Sequence, residues 1–361
     1  MHAFVYFKNT MLYSKSKSSR GEYMERRSKL LTGIVIAFLA IAAGLVGIFY
    51  LNNNASQNNN ASNRPAVRYA APLTIAAAPV YVADSKGFWT DEGLDMKVTY
   101  FDSGRKALDA LLSSDADVMS VSETPPLRAY LAGSNINIIS TVTEHKEAKM
   151  TVRTDRVSTP EDVKGKKIGT VAGTNSDYYM YRWLSANGIK PNEVTIVQLG
   201  AAALAQAFVQ GDIDVMFAWE PYNYNAVSKI PNLSESWPTE LYSGRHTVVM
   251  NDTYSQKNPD VVVRVIKGFV KAEDYIKSNP ADAKKIVMEK TGMSQAALDG
   301  LWGEYIYKVE SDDQLLGILN DEASWIKSSE GNTSTRSAMD LVNSTFLLKV
   351  DSGRVGRSFK S

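Results

Sequence analysis

Three short stretches carry residue types suited to holding a small solute. Gly173-Thr-Asn-Ser-Asp177 follows an apolar run and opens an amphipathic one, which puts it where a strand gives way to a helix. The first turn of a helix has N–H groups without intrahelical partners and the positive end of the dipole, which suits an anionic group held at Thr174, Asn175 and Ser176. In the competing reading, Ser176 or Asp177 simply caps the helix. The stretch is neither a Rossmann fingerprint nor a P-loop, because the required glycine and Gly-Lys spacings are missing. Trp219-Glu220-Pro221-Tyr222 ends another apolar run. Trp219 and Tyr222 offer apolar faces with polar tips and Glu220 a carboxylate, as in a pocket wall, although Trp219 serves equally well as core. Ser122-Glu123-Thr124-Pro125-Pro126 is the third stretch, with its turn set by the two prolines. If Glu123 faces a crevice, its carboxylate repels a simple anion and pairs with an ammonium or amidine-like ring; if it faces outward, it caps the next helix. Pro79 and Tyr81 complete the candidate wall.

Other chemistries are excluded. The chain has no cysteine, which removes a disulfide framework, a thiolate zinc site, a cysteine nucleophile and a lipidated-cysteine tether. His2, His145 and His246 are scattered, so neither a metal cluster nor a nucleophile-base-orienter set is visible. No catalytic residue, metal or cofactor is therefore expected. A net charge of +1 over 361 residues gives no electrostatic reason to expect nucleic acid.

The elements that must position these stretches alternate. Apolar runs at 73–77, 96–101, 116–121 and 136–142 are separated by helical patterns near 80–86, 105–113 and 126–132. A second series repeats this order: strands at 149–153, 167–171, 195–199 and 214–217, with helices at 177–186 and 202–210. This alternation predicts α/β units and mainly parallel sheets. Leu108–Val118 (LDALLSSDADV) and Leu204–Val215 (LAQAFVQGDIDV) echo each other as helix, tight turn and buried strand. Two lobes built from one unit suggest capture between strand ends. Beyond 246–250 the pattern is helical. Val262, Val265, Ile266, Phe269, Ala272 and Ile276 form one stripe over 259–278, and further helices follow near 281–289, 294–305, 314–328 and 335–342. They are expected to cover the first lobe, with His145 and His246 near the crossings between lobes.

Leu30–Leu51 carries no charge and has the length of a membrane-spanning helix. Arg26, Arg27 and Lys29 precede it, placing residues 1–29 in the cytoplasm and the bulk of the chain outside. A cleaved signal peptide is the alternative, although this run is longer than such segments and ends Ile-Phe-Tyr-Leu. Met24 offers a second start, so 1–23 belongs either to the protein or to an over-extended reading frame. Residues 52–66 read as a disordered linker, rich in asparagine and serine. Asn54, Asn60, Asn232, Asn251, Asn332 and Asn343 match the glycosylation pattern, which is compatible with an exterior address.

Lys86–Val98, Ser158–Ile189, Gly211–Tyr222 and Asn258–Pro280, in that order, resemble the solute-binding proteins of ABC importers for aliphatic sulfonates, taurine and nitrate, a group that also holds thiamine-precursor binders. The resemblance covers about residues 71 to 310. It implies a two-lobed type II periplasmic-binding fold with C-terminal helices, here behind one N-terminal transmembrane helix. Lobe I would comprise 67–148 and 246–361, and lobe II 149–245. It further implies a monomeric extracytoplasmic receptor, anchored to the cell membrane, that delivers a sulfonate- or taurine-like solute to a permease and its ATPase subunit. An aminopyrimidine, nitrate or bicarbonate is the alternative cargo. A pyrimidine-synthase-like enzyme is the alternative class; that line is marked by a cysteine-rich segment, which this chain lacks. A surface sensor is disfavoured because no signalling domain is attached inside.

Overall fold

The computed structural model describes residues 64–237 and 241–360, together with Gly44. The expected cytoplasmic start with His2, the expected span at 30–51, the asparagine-rich stretch with Asn54 and Asn60, and residues 238–240 lie outside the described residues. Among the described residues no helix is long and apolar enough to cross a membrane. Pro65–Ser361 form one compact unit.

The strands in chain order are β1 (Ala66–Pro72), β2 (Asp95–Phe101), β3 (Val118–Ser122), β4 (Ile136–His145), β5 (Lys149–Arg153) and β6 (Lys167–Thr170). β7 (Thr195–Gln198), β8 (Val215–Ala218), β9 (Ser234–Trp237), β10 (Gly244–Asn251) and β11 (Tyr305–Glu310) complete the set. They form two sheets, ordered β11-β4-β10-β3-β1-β2 and β7-β6-β8-β5-β9.

Both sheets are mixed, where the alternating pattern predicts mainly parallel ones. β1 lies parallel to β2 and β3, and β6 parallel to β7 and β8. β10 is antiparallel to β3 and β4, and β5 is antiparallel to β8 and β9. β5 enters the second sheet from β4 after residues 146–148, and β10 enters the first from β9 after 238–243. Each runs against the strands on both sides of it, and β11 at the edge of the first sheet is also antiparallel to β4.

Three other expectations need correction. The first strand is not at 73–77 but at Ala66–Pro72, inside the region assigned partly to the linker. At 74 the hydroxyl of Thr74 accepts from Ala76 N and caps a short 3₁₀ turn, which runs into the helix Ala78–Ser85 with its proline in the first turn. The helix expected through residue 305 stops at Leu301, and Tyr305–Glu310 is the edge strand of the first sheet, alternating buried and exposed. At 335–342 only a 3₁₀ turn forms, at Met339–Leu341.

The internal echo has a physical basis. In each half a helix ends in a left-handed residue, Ser114 at φ 65° or Gly211 at φ 85°, and then enters β3 or β8. The aspartate just before each strand reaches back to the neighbouring strand. Asp117 Oδ2 accepts from Arg68 N at 2.9 Å, and Asp214 Oδ2 accepts from Lys167 N at 2.9 Å. Arginine closes both corners, with Arg68 on Asp117 at 2.6 Å and Arg156 on Asp214 at 2.8 Å.

The helix Pro259–Ser278 buries all six residues of its expected stripe against the first sheet. Its Gly268 lets Trp89 lie flat against the backbone. Trp89 donates to Val265 O at 3.1 Å, stacks on Tyr69 with centroids 5.4 Å apart and meets Phe269 edge-on at 5.2 Å. A Cβ on Gly268 would stand 2.2 Å from Trp89 Cδ1. Gly268→Ala is therefore expected to cost about 1–3 kcal/mol by overpacking. Gly300→Ala is expected to be neutral or stabilising by up to about 1 kcal/mol, because Gly300 sits in an exposed helix turn with nothing within 4 Å of its Cβ position. Urea unfolding of both variants checks the pair, and equal midpoints would contradict the packing account.

Candidate functional site

The ends of β1 and β3 meet the loop before the helix Asn175–Ala186 around a small cavity. Pro72 and Thr74 come from the end of β1, Val121 and Ser122 from β3, Gly104 and Pro125 from the starts of two helices, and His246 from β10. Thr174, Asn175 and Trp219 come from the second sheet's side, and Glu147 from the first crossing. The cavity measures about 20 Å³, room for roughly one water molecule. A larger open groove, about 460 Å³, runs outside it between Arg105, Arg128, Gly173 and Glu330.

Of the residues singled out in the sequence, Ser122, Thr174, Asn175 and Trp219 line this cavity. Thr174 donates to Val171 O at 2.7 Å and lies 3.0 Å from the Ser176 hydroxyl, which also faces Thr170 at 3.4 Å. Neither alternative cap residue bonds the helix in the expected way. Asp177 instead accepts from Gly173 N at 3.1 Å, at a glycine whose φ of 73° other residues resist, and meets Arg128 at 3.4 Å. Asp177 N bonds Thr174 O at 3.1 Å, which leaves the N–H groups of Asn175 and Ser176 as the first-turn donors at the cavity end.

The remaining candidates are placed otherwise. Tyr81 is buried and its hydroxyl is spent on the turn at 72–74, donating toward Pro72 O and Thr74 O and accepting from Thr74 N. Pro79, in the first turn of the same helix, is buried in the core. Tyr222 donates to Asp102 O at 2.9 Å and so ties the second sheet's side to the loop after β2. Glu220 meets Lys149 at 3.3 Å and accepts from Tyr224 N at 2.9 Å. Glu123 departs most from its expected crevice-facing role. It is fully buried, accepts from the Tyr242 hydroxyl and, at 2.8 Å, from Arg245 N, and does not line the cavity. Thr124 beside it donates to Glu322 at 2.7 Å. Burial pushes the Glu123 carboxyl up, and burial together with the nearby Glu123 charge pushes Glu322 well above the carboxylate range.

The cavity's own acid is Glu147, which the sequence reading passed over. It lies in His145-Lys-Glu-Ala-Lys149, a polar run between two buried strands. Lys146 beside it is exposed while Glu147 is buried, so no local signal in the sequence marks its placement. Glu147 Oε2 accepts from Thr74 Oγ1 at 2.5 Å and from the Tyr305 hydroxyl at 3.4 Å. Burial raises its carboxyl to about 8, helped by the charge of Glu220. The two histidines are held neutral in the same surroundings. Burial lowers His246 to about 3 and takes His145 well below the imidazole range. His145 Nε2 lies 3.4 Å from Ser122 Oγ, while both ring nitrogens of His246 and the Asn175 amide nitrogen are buried without a partner. Unpaired buried polar atoms are costly, and three of them on one cavity wall are groups ready for a ligand. Among the described residues no group of three histidines, cysteines or acids is arranged to hold a metal ion.

The profile described as NMT1/THI5 like matches residues 74–283. The chain belongs to the NMT1/THI5-like family. A Bacillus subtilis relative, provisionally named an aliphatic sulfonates-binding protein, is 26% identical over 284 residues, 75% of this chain and 84% of its own. The taurine-binding periplasmic protein of Escherichia coli is 27% identical over 228 residues, 60% of this chain and 68% of its own. Among solved structures, the alkanesulfonate-binding protein from Xanthomonas axonopodis pv. citri bound to MOPS superimposes with a TM-score of 0.68 at 19% identity, over 78% of this chain and 99% of that one. The fold of this family member is therefore the α/β periplasmic-binding-protein fold. A desulfurization enzyme shares it, with a TM-score of 0.62 at 14% identity over 81% of this chain and all of that one, so fold alone does not separate binder from enzyme.

The neutral histidines have a measurable consequence. Unfolded, His246 takes its proton at an ordinary 6.5, whereas folded it does so near 3. The unfolded state therefore binds more protons at this ring in between, so the contribution of His246 to stability is full above about pH 6.5 and falls as the pH drops below it, against the opposite trend of the buried acids. The His246 ring resonances are expected to stay flat from pH 7 to 4, and the urea midpoint of the protein to fall relative to that of a His246→Gln variant over the same range. A titration of that ring near 6.5 would contradict its burial.

Proposed function

We propose that this family member is the extracytoplasmic solute-binding component of an ABC importer, capturing a small organic solute of sulfonate or taurine type between two lobes. Residues 67–148 and 246–361 form one lobe and 149–245 the other, hinged at the two crossings. The reading is carried by the cavity where both sheets meet, with Asn175 at a helix N-terminus and its amide nitrogen unpartnered. An anionic group finds there the positive helix end, the Asn175 amide and the Thr174 and Ser122 hydroxyls. The names of the relatives point to the same class of solute.

At about 20 Å³ the cavity is too small for such a solute, so the lobes must part and close again around it. The contacts between the lobes that would break include Tyr222 to Asp102, Arg128 to Asp177, Arg182 to Asp321, and the rings of Tyr178 and Tyr181 against Trp325. A solute that binds the closed form better shifts the equilibrium toward it, and the closed form docks on the permease that works with its ATPase subunit. The uncharged run 30–51 anchors this two-lobed monomer to the cell membrane as a single pass, with the asparagine-rich stretch as a spacer.

Thermal unfolding of the full-length protein with taurine, alkanesulfonates, nitrate, bicarbonate and aminopyrimidines tests the cargo. A true ligand at 100 times its Kd adds about 2.7 kcal/mol, a shift of about 2–4 °C at this size. Asn175→Ala is expected to weaken that ligand about tenfold while leaving the unliganded midpoint nearly unchanged. No shift with any of these solutes would sink the solute class. The anchor is tested separately: the protein should stay in the membrane fraction through an alkaline carbonate wash, and release into the wash would refute it.

A further inference from the structure

Glu147 is the one acidic residue among those lining the cavity, and none of the other lining residues is a lysine or an arginine. The turn after β1 offers the Thr74 hydroxyl and Tyr81, and β11 offers the hydroxyls of Tyr305 and, further off, Tyr307. β4 offers His145, whose Nδ1 stands 3.9 Å from Glu147 Oε1 but is buried and neutral. β10 offers His246, also neutral. The end of β8 brings another acid, Glu220, and the nearest ammonium, on Lys149, is already shared between Glu220 at 3.3 Å and Glu304 at 2.8 Å. The other buried acid first suspected of facing the solute, Glu123, is occupied by Tyr242 and the Arg245 backbone. A carboxylate taken out of water without a cation is strongly disfavoured, so in the empty closed cavity Glu147 keeps its proton.

Resting on the solute-capture reading above, we propose that Glu147 is the receptor for a cationic group of the solute, and that capturing this solute expels one proton from the cavity. The solute then carries an ammonium or amidinium together with an anionic group: Glu147 takes the first, and the helix end at Asn175 takes the second. In the step itself no covalent bond of the solute changes. The ammonium arrives charged, the Glu147 O–H bond ionises, its proton passes to solvent, and a charge-assisted N–H to carboxylate bond replaces it. A solute with an anionic group alone does the opposite. It binds best while Glu147 stays protonated, because the ionised acid would repel it.

The test compares taurine with ethanesulfonate, which differs only in lacking the amine, on the full-length protein by calorimetry between pH 6 and 9. Taurine affinity is expected to rise about tenfold per pH unit up to about pH 8, where the folded carboxyl titrates, and then level. One proton should be released per taurine bound, counted from the heats in two buffers of different ionisation enthalpy. Ethanesulfonate should release none and weaken above that pH. Glu147→Gln should lower taurine affinity about 10- to 100-fold, abolish its pH slope and leave ethanesulfonate unchanged below pH 8. Thermal unfolding of the variant at pH 6 separates this effect from misfolding, and Glu147→Asp should restore part of the slope. If taurine binds without proton release, or Glu147→Gln weakens both sulfonates equally, the assignment is overturned while solute capture stands. If neither sulfonate binds, the underlying reading fails and this one with it.

Discussion

A chain that passes twice between two sheets carries polar residues into the interior at both passages, and much of this molecule follows from the need to give them partners. The first passage takes only residues 146–148, between β4 and β5. The second, between β9 and β10, brings Tyr242 and Arg245 into the interior. Lys146 and Leu241 stay exposed, whereas Glu147, Tyr242 and Arg245 are buried and face low dielectric, so each of these needs a partner from a neighbouring element or a change of protonation state.

The partners at the passages come from elements far apart in sequence. Thr74 reaches Glu147, Lys149 reaches Glu304, Tyr242 reaches Glu123, and the buried Arg245 meets Glu144 at 3.4 Å and Asp312 at 3.6 Å. Most of these are charge-assisted or involve an acid that burial keeps protonated. Such a network favours one arrangement of the passages over others, because breaking any member leaves a buried group unpaired. The small cavity lies within this network rather than beside it. Glu147, in the first passage, and His246, in the strand just after the second, both line its wall.

Membership in the NMT1/THI5-like family and the shared fold leave the cargo open, since sulfonate binders and a desulfurization enzyme are built on this architecture. In this chain the wall of the small cavity combines a helix N-terminus, the neutral imidazole of His246 and a single acid, Glu147.

Local rules account for what was legible in the sequence. The repeating α/β grammar, the six-residue stripe on Pro259–Ser278 and the echo between Asp117 and Asp214 rest on periodicity and short-range turns, which a linear reading captures. Asn175 and Thr174 were also legible, because a helix start creates their environment locally. Trp219 was legible only as one of two readings. The direction of the strands next to the passages was not, since it depends on which sheet a strand joins after a three-residue connection. β11 was hidden too, because Tyr305–Glu310 becomes a strand only by pairing with β4, far away in sequence. Glu123 and Glu147 show the limit most plainly. Both are acids beside buried strands, and nothing local tells them apart; tertiary structure sets Tyr242 and Arg245 N against one and opens a cavity before the other. The sequence by itself determined most of the elements, their order and the helix start at Asn175. Which of the two acids borders the cavity was decided only by tertiary structure, because burial and partners are properties of the fold and not of the residue.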